Sequence, residues 1–67
     1  MRIKIFYERE GKEKEIEFNG KTVRDLLNYL GLDWSRHVVI KNGEIVTEDE
    51  EIEEGDYIKI LDVVSGG

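Results

Sequence analysis

Hydrophobic and polar residues alternate from the second position of the chain. Ile3, Ile5 and Tyr7 fall on one side of an extended backbone, and Arg2, Lys4, Phe6 and Glu8 on the other. A period of two predicts a half-buried strand. After the turn-like EGKEK, the stretch EIEF repeats the pattern with Ile16 and Phe18, which predicts the second arm of a hairpin. NGKT interrupts it, and in TVRDLLNYLG the period lengthens. Val23, Leu26, Leu27 and Leu30 share one face of a helix of about three turns, with Thr22 as N-cap and Gly31 as the stop. Beyond LDWS, HVVIKNGEIV predicts two short strands joined by Asn42-Gly43, a pair that tolerates the positive φ of a tight hairpin turn. TEDEEIEEGD is an acidic connection that Ile52 would pin to the core, and YIKILDVV is a last strand with Ile58 and Ile60 inward.

The element order ββαβββ defines an α+β class: a mixed four- to five-stranded sheet with one helix packed on one face. A single helix leaves the other face for water or a partner. With Ile3, Ile5, Val38, Ile40, Ile58 and Ile60 assigned inward, the outward set receives Phe6, Val39 and Leu61 from three strands, a candidate protein-contact patch.

Composition narrows the partners. The 67 residues make one small domain with a compact core. The net charge is −6, with 16 acids against 10 bases, and the bases form no stripe, so nucleic acid is not an expected partner. An acidic body suits a basic protein surface. The absence of cysteine removes disulfides, thiolate metal sites and cysteine nucleophiles, and fits a reducing cytoplasm. MRIKIFYERE lacks the apolar run of a signal peptide or a membrane span. A cytoplasmic protein with no membrane partner is expected.

Several constellations invite a chemical reading and fail it. NGKT shares its last three residues with the phosphate-binding loop, but Glu15 occupies the position of that loop's first glycine, so a turn before a capped helix explains Gly20, Lys21 and Thr22 better. Asp33, Ser35 and His37 are the residue types of a hydrolase triad, yet alternate residues of an extended segment stand about 6–7 Å apart, too far for direct proton transfer. His37 then reads as a surface residue at a strand start, and Trp34 as a loop anchor against the helix end. The acids from Glu48 to Asp56 do not follow calcium-loop spacing and read as a solvated charge run. One histidine without cysteine argues against zinc or iron. No metal or cofactor bound by this chain is expected.

What remains is the tail. After Leu61 the side chains run Val63, Val64, Ser65, Gly66, Gly67, and 64–67 is expected to be a flexible diglycine tail, thin enough to thread a narrow channel. A carboxylate is a poor electrophile. If a partner enzyme transferred AMP to Gly67, the mixed anhydride would carry a good leaving group, and catalytic residues and magnesium would belong to that partner.

NGEIV, the acidic stretch, EEGDYIKILDVV and the closing SGG resemble the C-terminal half of the ubiquitin-like sulfur carriers ThiS and MoaD and the related small archaeal modifier proteins, and TVRDLLNYLGL is similar to their helix. The resemblance implies a β-grasp fold with the first and last strands parallel at the sheet centre. It also implies a protein cosubstrate, not an enzyme: an E1-like adenylating enzyme would use ATP and magnesium to activate Gly67, and a sulfur donor protein would supply the sulfur of a thiocarboxylate. Thiazole synthase or the molybdopterin synthase large subunit would consume that sulfur, or it would serve tRNA thiolation. Gly66 lets the tail enter the partner's active site, and Phe6, Val39, Leu61, Val63, Val64 and Ser65 are the expected contacts. A modifier joined to lysines through Gly67 is the alternative, and a binding module with incidental glycines is a third reading. The first hairpin, YEREGKEKE, is longer than in the shortest chains of the family, which leaves the pathway open.

Overall fold

The computed structural model describes residues 1–63. Their elements are β1 (Arg2–Tyr7), β2 (Lys12–Glu17), α1 (Val23–Leu30), a 3-10 turn (Trp34–Arg36), β3 (His37–Lys41), β4 (Glu44–Val46) and β5 (Tyr57–Asp62). The five strands lie in the order β2-β1-β5-β3-β4. β1 and β5 run parallel at the centre, and every other neighbouring pair is antiparallel. This is the β-grasp arrangement the resemblance implied.

The two central strands owe their place to the alternation. Ile5 stands opposite Ile58 and Tyr7 opposite Ile60, and Ile3, Ile5, Ile58 and Ile60 are buried beneath α1 with Phe18, Val23, Leu26 and Leu27. Ile52 joins them at 3% exposure, pinning the acidic connection as its isolation among acids predicted. Backbone bonds extend that anchorage. The amides of Val23 and Arg24, unpartnered within the first turn of a helix, donate to the carbonyls of Glu50 and Glu48 at 2.9 Å each, and Ile52 N donates to Lys21 O at 2.8 Å.

α1 starts and stops where its caps require. Thr22 accepts from Asp25 N while the Asp25 carboxylate accepts from Thr22 N, a reciprocal capping box, and Gly31 closes the helix at φ 74°. Because Thr22 and Gly31 are caps and not helical residues, α1 has 8 residues, about two turns and not three. Gly20 is fixed by packing: a Cβ there would meet the Phe18 ring and lie 2.7 Å from Asp25 Cβ.

Two expectations about strands are corrected. β2 spans Lys12–Glu17 instead of the EIEF segment. Its backbone pairs along the full length of β1, while Phe18 turns out of the strand into the core at 2% exposure. The second correction concerns phase. Val38 and Ile40 were assigned inward and Val39 outward, but Val39 is fully buried and pairs with inward-facing Ile60, while Val38 pairs with Leu61 and Ile40 with Lys59. Three consecutive apolar residues carry no phase of their own. The register against β5 supplies it, and a one-residue shift turns every side chain over.

Candidate functional site

The uncovered face of the sheet collects apolar side chains from four strands. Phe6 of β1 pairs with Lys59 of β5, whose ammonium sits 5.7 Å from the Phe6 ring centroid. Leu61 faces Val38, and Ile40 faces Ile45 across the β3–β4 hairpin. Phe6, Val38, Ile40 and Leu61 are half-buried, and Ile45 is 76% exposed. Of the predicted trio, Phe6 and Leu61 stand on this face, and Val39 is in the core, replaced by Val38 and Ile40. Ile45 was missed by the sequence reading, although its alternation with Val46 after Asn42-Gly43 carried the signal. Toward β2 the patch gives way to charge, where Arg2 and Glu15 approach to 3.6 Å.

The tail leaves from the far end of β5, at a cluster of polar side chains. The Val63 amide donates to Arg36 O at 2.8 Å, and Val63 itself is 50% exposed. The preceding residue turns its carboxylate to the helix side of the sheet. There Tyr7 Oη donates to Asp62 Oδ1 at 3.2 Å, His37 Nε2 lies 2.9 Å from the same oxygen, and Arg9 Nε lies 3.8 Å from Oδ2. His37 Nδ1 lies 2.7 Å from Asp33 O, and the Tyr7 and His37 rings meet edge to face at 6.0 Å.

His37 is therefore not the surface residue expected of a strand start, because its side chain is only 8% exposed. The signal lay in the alternation. Tyr7 continues the phase of Ile5, Asp62 that of Ile60 and His37 that of Val39, so all three point to the helix side just beyond the reach of α1. Val64, Ser65, Gly66 and Gly67, named from the sequence, lie outside the described residues.

The competing chemistries find no support in the geometry. Asp33 Oδ1 accepts from both Ser35 N and Ser35 Oγ at 3.0 Å, which caps the 3-10 turn and holds the Asp33 carboxyl below the usual carboxylate range, the Ser35 amide being the largest cause. His37 faces the Asp33 carbonyl, not its carboxylate, so these residues form no relay. At the start of α1, where a phosphate-binding loop would place its anion, the Asp25 carboxylate already accepts from Lys21 N at 2.9 Å and Thr22 N at 3.1 Å. The acidic connection is held by cations of the fold: Arg24 reaches Asp49 at 2.7 Å and Glu48 at 3.1 Å, and Lys41 reaches Glu50 at 2.8 Å. Among the described residues no group of three or more histidines and acids is arranged to hold a metal, and no helix is long and apolar enough to cross a membrane.

A mixed sheet with parallel central strands, one helix on one face and an apolar opposite face defines a ubiquitin-like protein of the β-grasp class. A sequence model of the ThiS family matches residues 4–67, and the chain belongs to that family. It is 33% identical over 57 residues to the sulfur carrier protein TtuB of Thermus thermophilus, covering 84% of this chain and 88% of that one. It is 37% identical over 68 residues to an uncharacterised protein of Archaeoglobus fulgidus, covering all of both. Among solved structures, SAMP1 from Haloferax volcanii superposes with a TM-score of 0.74 over the full length of both chains at 21% identity, a likeness of fold. A Pyrococcus furiosus protein provisionally named molybdopterin converting factor, subunit 1, superposes with a TM-score of 0.75 at 26% identity, covering 94% of this chain and 98% of that one.

Proposed function

We propose that this chain is a sulfur carrier whose acyl terminus is Gly67. An E1-like enzyme holding ATP and magnesium lets the Gly67 carboxylate attack the α-phosphorus of ATP, with pyrophosphate leaving. The terminal sulfur of a persulfide on a donor protein then attacks the acyl carbon and AMP leaves; a thiol attacks the donor-side sulfur of the resulting acyl disulfide, forming a disulfide with it and releasing the thiocarboxylate. Thiazole synthase, the molybdopterin synthase large subunit or a tRNA-thiolating enzyme is the consumer. The chain contributes a docking face and a deliverable terminus, and the catalytic groups are the partner's.

The observation that carries this reading is the match of the ThiS family along the chain through its diglycine, reinforced by 33% identity to a sulfur carrier. The outer sheet face adds physical support, because Phe6, Val38, Ile40, Ile45 and Leu61 form an apolar patch on an otherwise charged protein, and such patches mark contact surfaces. The test is ATP–pyrophosphate exchange catalysed by the E1-like enzyme of the source organism. Exchange that depends on the intact chain and is abolished by removing Gly67 supports the reading. Exchange that is absent with the intact chain, in a preparation of that enzyme active on another carrier, contradicts it.

A further inference from the structure

Resting on the sulfur-carrier reading, the geometry points to Asp62 as a positioning residue for activation: through Tyr7, His37 and Arg9 we infer that it clamps the root of the tail, up to Val63, against the body. Asp62 stands at the last position of β5, and its carboxylate meets one side chain from each neighbouring strand. Tyr7 of β1 donates to it at 3.2 Å and His37 of β3 lies at 2.9 Å. Arg9, in the β1–β2 turn, closes the outer side at 3.8 Å. His37 is held in turn by the Asp33 carbonyl at 2.7 Å, so the clamp extends into the segment after α1.

The backbone is fixed one residue further on, where Val63 N donates to Arg36 O at 2.8 Å. Side chain and main chain together tie the root to both flanks of β5. A strand end held by ladder bonds alone frays, and this one carries an added polar lock.

The consequence for acyl transfer is one of effective concentration. Val63 stands four residues before Gly67 in the chain, so a root that moves enlarges the volume over which the reacting carboxylate is spread and lowers its effective concentration at ATP. Misplacement of a reacting group by about 1 Å is enough to cost on the order of a hundredfold in rate. The outer sheet face and the clamp lie on opposite sides of the sheet, so docking and clamping are separable: loosening the clamp leaves the face intact and reduces the fraction of docked complexes in which Gly67 reaches ATP.

The experiment compares wild type, Asp62→Ala, Asp62→Asn and Tyr7→Phe in ATP–pyrophosphate exchange with the E1-like enzyme of the source organism, alongside thermal melting and amide hydrogen exchange at Val63. A clamp predicts a fall in kcat of about tenfold or more for Asp62→Ala with KM changed by less than about threefold. It predicts partial recovery in Asp62→Asn, which keeps an acceptor for Tyr7, and faster Val63 exchange in Tyr7→Phe with the fold retained. Unchanged kcat in both Asp62→Ala and Tyr7→Phe, with wild type active, overturns the inference and leaves the sulfur-carrier reading standing. A lowered melting temperature with kcat intact assigns Asp62 to stability alone and overturns it equally. Wild type that supports no exchange removes the sulfur-carrier reading and the inference with it.

Discussion

Asn42 and Asp56, 14 residues apart in sequence, are joined by a 2.9 Å hydrogen bond from Asn42 Nδ2 to Asp56 Oδ1 that ties the β3–β4 turn to the turn entering β5. Asp56 Oδ2 also accepts from Glu53 N at 2.8 Å, and Asn42 Oδ1 accepts from Tyr57 N at 2.9 Å. Asn42 can do this because it sits at φ 50°, a conformation asparagine tolerates, while Gly43 follows at φ 87°. NGEIV and EGD, two of the stretches that carry the family resemblance, are thus two halves of one lock holding the edge hairpin against the central strand.

Asp56→Ala removes the buried acceptor shared by the Asn42 amide and the Glu53 N–H; both donors sit on exposed residues that water can reach, and the loss is expected to cost about 1 kcal/mol. Asn42→Gly keeps the positive φ and removes the same side-chain bond. In urea denaturation the double variant should therefore lose less than the sum of the two singles, with a coupling of about 0.5 kcal/mol or more. Strict additivity contradicts the lock.

The corrected register makes a sharper demand. Val39→Asp buries an unpaired carboxylate under α1 and is expected to unfold a protein whose whole stability is on the order of 5–10 kcal/mol. Ile40→Asp, one residue away on the outer face, should cost about 1 kcal/mol and instead raise KM for the activating enzyme. Circular dichroism melts and exchange kinetics on the two variants read the difference, and the reverse order would restore the opposite phase for β3.

At the start of α1, Thr22→Ala removes the cap acceptor and should destabilise by about 1 kcal/mol in chemical denaturation. Gly20→Ala drives a methyl into Phe18 and Asp25 and should cost about 1–3 kcal/mol. An unchanged midpoint for either contradicts the packing described.

Acid stability follows from the same cap. Asp25 is held below its ordinary value of 3.8, first by the Lys21 N–H and then by the Thr22 N–H. A carboxyl whose folded pKa is depressed stabilises the fold above its unfolded pKa and loses that contribution as pH falls through the folded value. Denaturation midpoints should therefore fall as pH drops below about 4. Asp25→Asn should be less stable than wild type at neutral pH and converge on it in that acid window. Parallel curves down to the most acid pH contradict the assignment.

The parts of this fold legible in the sequence are those with an unbroken period. β1 and β5 alternate cleanly, α1 carries its face and both caps, and Asn42-Gly43 marks its hairpin. β2 was read short because Lys12 to Glu15 alternate between two charges, a pattern with no apolar face, and only pairing with β1 makes it a strand. β3 was misphased because Val38, Val39 and Ile40 are all apolar. The Asp62 cluster escaped notice because its members lie on three strands and meet through register alone. The diglycine was legible as composition, and its chemical meaning came from the resemblance.

The central claim concerns one atom at Gly67, and intact-mass spectrometry reads it directly. After incubation with ATP, magnesium, the E1-like enzyme and the sulfur donor, the chain is predicted to gain the mass difference between one sulfur and one oxygen, located by fragmentation to Gly67. A chain of unchanged mass, beside a second carrier converted in the same mixture, would contradict the account.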